Sequence, residues 1–103
     1  MSTAKLCLAI ESKHVVRFYY DGDGVPGHRF VEPHMVALNR KDNLALSGWY
    51  LRGASESSRG PGWREYPISS MSDITILEET FQDARPDYQP SGGKIFHDIK
   101  CAL

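Results

Sequence analysis

Between residues 14 and 77 the chain is cut by turn residues into short β-branched and aromatic runs at hairpin spacing. This punctuation limits the fold more than any other feature. Val16, Phe18 and Tyr20 alternate with Val15, Arg17 and Tyr19, the period-two pattern of a strand with one buried face. Asp21-Gly22-Asp23-Gly24 and Pro26-Gly27 then form a turn-rich loop. A second strand spans about 28–38, and Pro33 inside it marks an edge position or a bulge because it cannot donate to a ladder. Lys41-Asp42-Asn43 is a short hairpin connection before a third strand at 44–52, where Gly48 beside Trp49 makes a plausible corner. Residues 53–62 have almost nothing to bury and read as a mobile loop. A fourth strand follows at 63–68 and a fifth at 74–77, joined by a link short enough to demand a tight turn.

Five strands at hairpin spacing in 103 residues are too few for a two-sheet sandwich. They predict a mostly β chain that curls into a small, strongly bent five-stranded barrel. One helix precedes it. Thr3 can cap residues 4–12, where Leu6, Ala9 and Ile10 form an apolar stripe that must lie on the sheet, since three turns cannot stand alone in water. Residues 1–82 therefore read as the barrel with its leading helix. Residues 83–103 read as a Pro/Gly linker and a short amphipathic C-terminal tail. In that tail Ile95, Phe96, Ile99 and Leu103 are available for burial, by folding back on the barrel or by pairing with a second copy.

No apolar run approaches the length of a membrane span, and no secretory leader stands at the N-terminus, so a cytoplasmic address is expected. In such a reducing compartment Cys7 and Cys101 are expected as free thiols packed like small apolar groups. A bond tying the two ends together is the alternative. The net charge of −1 gives no whole-molecule attraction to nucleic acid. Residues 1–66 carry +2 and residues 67–103 carry −3, so an anion would sooner settle on the first part.

Enzyme signatures are missing: no GxSxG, P-loop, HExxH or GxGxxG occurs. Gly22-Asp23-Gly24 with Gly27 joins two strands, so no helix N-terminus stands behind it to greet a phosphate. His14, His28, His34 and His97 lack the spacing of a metal site, and Cys7 has no recognisable base. No cofactor is implied. The pattern that carries chemistry is aromatic and basic side chains interleaved on strands: Phe18, Tyr19, Tyr20, Phe30, Trp49, Tyr50, Trp63 and Tyr66 close in sequence to Arg17, Arg29, His34, Arg52 and Arg64. Flat rings stack bases at about 1–3 kcal/mol each while guanidinium groups hold phosphate, a combination that small barrels commonly use. Against that, a barrel so small must spend about half of its rings on its own core.

The same residues carry a resemblance. From about Ala9 to Phe81 the chain resembles the WYL domain, a small Sm/SH3-like β-barrel module of bacterial regulators. The naming tripeptide is present as Trp49-Tyr50-Leu51. Around it stand Val16-Arg17-Phe18-Tyr19-Tyr20, Arg29-Phe30-Val31-Glu32-Pro33-His34, Leu44-Ala45-Leu46-Ser47-Gly48 and Arg64-Glu65-Tyr66-Pro67-Ile68. The resemblance implies a non-catalytic module that senses a ligand, single-stranded nucleic acid or a small anion, and modulates a transcriptional or nucleic-acid-related process. By analogy its contacts would be Tyr20, Arg29, His34, Trp49, Arg52, Arg64 and Tyr66. The arginines would hold phosphate, the rings would stack, and His34 would hydrogen-bond. The chain departs from the family at its fourth strand, where Pro67 and Ser70 replace two bases, which weakens a phosphate site. No DNA-binding domain precedes the module in these residues, so a freestanding relative is expected. The alternative is a protein-interaction or homo-oligomerisation module acting through edge strands and the C-terminal tail.

Overall fold

The computed structural model describes residues 2–54 and 60–103; most of the stretch read as a mobile loop, 55–59, lies outside the described residues. One helix, α1 (Ser2–Ser12), precedes six strands: β1 (His14–Tyr20), β2 (Gly27–Leu38), β3 (Leu44–Gly53), β4 (Gly62–Pro67), β5 (Met71–Thr80) and β6 (His97–Ala102). All pairings are antiparallel. The helix begins at Ser2, two residues earlier than expected, so Thr3 lies inside it rather than capping it. At its other end Lys13 adopts a positive φ of 57° and donates its N–H to Ile10 O, which turns the chain directly into β1. A 3₁₀ turn, Ile68–Ser70, is the tight link between β4 and β5.

The strand order is β4-β3-β2-β1-β5, and β6 joins β2 off that path. Among the described residues no ladder joins β4 to β5, so the sheet is open there. It holds six strands where the hairpin spacing predicted five. The sixth comes from the tail, whose alternation was too polar to announce a strand. β2 is the backbone of the arrangement. β3 follows it from end to end, while its other edge serves β1 over residues 27–31 and β6 over 35–38. Pro33 sits where β2 changes partner, the place where a missing N–H costs least.

Two slips in the β2–β3 register bend the sheet. Leu51 is the extra residue on β3, between the pairs Phe30–Arg52 and Val31–Tyr50. His34 is the extra residue on β2, between Pro33–Gly48 and Met35–Ser47. Gly48 is the expected corner. A Cβ there would lie 2.5 Å from Val31 Cγ1 and 2.8 Å from Glu32 O, so only glycine lets the two backbones approach. The concave side is closed by α1. Leu6, Ala9 and Ile10 pack on Val16, Phe18, Tyr20, Val31, Val36, Leu46 and Tyr66 to form the core.

Cys7 and Cys101 form a disulfide across 94 residues of sequence, which corrects the expectation of two free thiols. Helix α1 and β6 both border the second half of β2, and that shared neighbour brings the two sulfurs together. No described helix is long and apolar enough to cross a membrane.

Candidate functional site

The seven candidate residues fall into three places, because side chains on a strand alternate between faces and the bulges reset that alternation. Tyr20, Arg29, Arg64 and Tyr66 gather at one end of the concave face. Phe18 on β1 lies opposite Arg29 on β2, and Leu46 on β3 opposite Tyr66 on β4, so these side chains share the core side. Tyr20 and Tyr66 meet edge to face with centroids 5.0 Å apart, and Phe18 meets Tyr66 at the same distance. The Arg29 guanidinium lies 5.0 Å from the Tyr20 ring and is 1% exposed. Its Nη2 donates to Val25 O and to Asp23 Oδ1, the latter at 3.2 Å. Its Nε is buried and has no acceptor among the described residues. Arg64 approaches from β4. Its guanidinium lies 5.2 Å from the Tyr50 ring and, among the described residues, donates to the main-chain carbonyls of Trp63 and Gly60.

Tyr66 records this electrostatic setting. Burial raises its phenol well above the ordinary value, and Arg29 and Arg64 act in the opposite direction, so both cations bear on one hydroxyl. Burial also raises Tyr20, helped by the Asp23 carboxylate and opposed by Arg29. The arrangement is a buried cation against the Tyr20 ring, paired among the described residues with one carboxylate, Asp23, that is itself a quarter exposed.

His34 and Trp49 stand on the opposite, outer face, where residues 81–88 cover them. His34 is fully buried and packs against Trp63 (4.8 Å), Tyr88 (5.2 Å) and Phe81 (5.6 Å, nearly parallel). Its Nδ1 lies 2.8 Å from Glu32 O and its Nε2 accepts the Arg85 N–H at 3.1 Å, which assigns the neutral ring with its proton on Nδ1. Burial holds the imidazole below its ordinary pKa. Arg85 places its guanidinium 4.9 Å from the Trp49 ring and donates through Nε and Nη2 to the two oxygens of Glu32 at 2.6 and 2.9 Å. Trp63 Nε1 donates to Pro86 O at 3.0 Å, and its ring stacks on Tyr88 with centroids 6.0 Å apart. Beside this contact a mainly apolar cleft of about 570 Å³ opens between the sheet and residues 87–96. Met35, Trp63, Tyr88 and Phe96 contribute to its walls.

Arg52 stands alone. It lies 4.4 Å from the Phe30 ring on the exposed outer face and pairs with both oxygens of Glu79, whose carboxyl is held below its usual range by that contact. The rings expected to stand uncovered for stacking are buried, as at Tyr20 and Tyr66, or covered by the chain itself, as at Trp49 and Trp63. Arg85 and Tyr88 were missed because residues 84–93 look like a linker, and without Arg85 nothing marked Glu32 as its partner. An arginine and a tyrosine set among prolines and glycines were the only sign that this stretch has something to hold. Among the described residues no group of three or more His, Cys, Asp or Glu is placed to hold a metal ion.

Compared with known proteins, the chain matches no protein-family model, no curated protein and no solved structure.

Proposed function

We propose that the chain is a non-catalytic regulatory module of WYL type, an Sm/SH3-like bent barrel, that binds a small anionic ligand at the Tyr20–Arg29–Arg64–Tyr66 end of its concave face. The observation that carries this reading is Arg29: a guanidinium 1% exposed, set against the Tyr20 ring and close enough to act on the Tyr66 hydroxyl, with Nε unmatched among the described residues. A buried cation with spare donor capacity is costly until an anion meets it, and a phosphate oxygen is a natural acceptor for guanidinium and phenol donors together. Arg64, tied among the described residues to the main-chain carbonyls of Trp63 and Gly60, can turn toward such a group by exchanging neutral acceptors for a charged one.

Between the two ligand classes that the resemblance implies, burial of the rings favours a single small anion over a stacked strand. Base stacking needs open ring faces, and Tyr20, Tyr50 and Tyr66 are each less than 7% exposed. Titration calorimetry at low salt, with inorganic phosphate, a 5′-phosphorylated dinucleotide and its unphosphorylated twin, tests the proposal. Phosphate and the phosphorylated dinucleotide should bind, more weakly as salt rises, and Arg64→Ala should reduce affinity about tenfold or more. Equal binding of the unphosphorylated twin would restore the single-strand reading. Absence of all three heats at low salt would reject ligand binding at this end.

A further inference from the structure

The outer-face cluster has the form of a filled recognition site. The contacts around Arg85 read four separate features of two consecutive residues. Glu32 takes the guanidinium through two parallel hydrogen bonds, and the Trp49 ring supports its flat side. His34 Nε2 takes the Arg85 N–H, and Trp63 Nε1 gives to the Pro86 carbonyl. Proline suits the second position because no further N–H needs a partner there. The receiving groups are built into the sheet: Glu32 is 5% exposed and His34 fully buried, both on β2, while Trp49 and Trp63 pair across β3 and β4. The occupant is the reverse. Residues 82–84 and 86–87 are exposed and belong to no strand. On either side of them β5 is held by β1, and β6 by β2 and the disulfide. Residues 81–88 can therefore lift without unmaking the sheet.

We propose that this face is a peptide-recognition site for an extended Arg-Pro segment of a partner protein, occupied in the resting chain by its own Arg85-Pro86. A buried carboxylate requires a cation, and the paired geometry on Glu32 selects arginine over lysine, whose ammonium cannot make two parallel bonds. The tethered copy competes at high effective concentration, so the resting chain is self-blocked and a partner must carry the same dipeptide in extended form. The anion site on the concave face plays no part in this contact, and the two proposals stand or fall apart.

The test uses the full, oxidised chain. Arg85→Ala empties the site. Arg85→Lys leaves a cation against Glu32 and guards against collapse of the alanine variant. Each is titrated with an acetylated, amidated hexapeptide of the sequence of residues 83–88 (DARPDY), with Trp fluorescence as the readout, and with the same peptide carrying lysine for arginine. Both variants should bind the arginine peptide at least tenfold more tightly than the unaltered chain does, and the lysine peptide should be at least tenfold weaker. Adding Glu32→Gln to Arg85→Lys should abolish the preference for arginine. If neither variant binds, or the lysine peptide binds equally well, Arg85–Glu32 is an internal ion pair only and the proposal fails. Light scattering that shows the unaltered chain as a dimer, and Arg85→Ala as a monomer, would instead make a second copy the occupant and overturn the partner reading.

Discussion

Arg29 and His34 are the two side chains whose burial is hardest to explain as packing alone. Truncating Arg29 to alanine removes a large buried side chain, its bond to Val25 O and its contact with the Tyr20 ring, yet Asp23 is a quarter exposed and can rehydrate. The expected cost is about 3 kcal/mol, read as a shift of the urea midpoint. His34 makes stability depend on pH with a definite sign. Its folded-state pKa is depressed by burial, so the unfolded chain takes up its proton first as pH falls. Stability is full above the unfolded pKa of about 6.5 and is lost as pH drops through that value toward the folded one. His34→Gln should flatten this part of the profile, measured as urea stability at pH 7.5 and pH 5. A slope unchanged by the substitution would place the titrating group elsewhere. Both residues were visible in the sequence as chemistry-bearing, but their environments were not. Whether an arginine on a strand faces water or core depends on the parity set by bulges at Leu51 and His34, and a bulge leaves no mark of its own in composition.

At the level of elements, the strands between residues 14 and 77 were legible because each is bounded by turn residues with a mechanism. Asn39 shows how directly such a turn works: its Oδ1 accepts from the N–H groups of Lys41 and Asn43, closing the β2–β3 hairpin. Gly48 was legible as a corner for the same kind of reason. Gly48→Ala should cost about 1–3 kcal/mol, because the added methyl meets Glu32 O, a backbone atom that cannot rotate away. Urea unfolding followed by Trp fluorescence checks this, and a cost below about 0.5 kcal/mol would mean the corner can relax. Strand β6 was illegible because four of its six residues are exposed, so no buried stripe announces it. What defines it is an available edge on β2 and a covalent anchor, neither of which is a property of residues 97–102 themselves.

For the whole molecule the disulfide is the feature that local sequence reasoning weighed least and the structure uses most. A cross-link over 94 residues removes much of the freedom of the unfolded chain, so reduction or the paired Cys7→Ser, Cys101→Ser substitution should lower stability by about 2–4 kcal/mol. Urea curves with and without a dithiol check it, and alkylation of the untreated protein should label no cysteine. Such bonds persist in oxidising surroundings and are rare where glutathione keeps thiols reduced. A cytoplasmic address and an intact bond therefore oppose each other, and a thiol count on protein trapped directly from cells discriminates between them. The bond also brings the Cα atoms of Cys7 and Cys101 within 5.7 Å, so the polypeptide enters and leaves at nearly one point. Anything fused to both termini would pull on sulfur rather than on the β-sheet. In an optical trap the oxidised protein should barely lengthen under tension, whereas a reductant should release about 300 Å of hidden contour in one step.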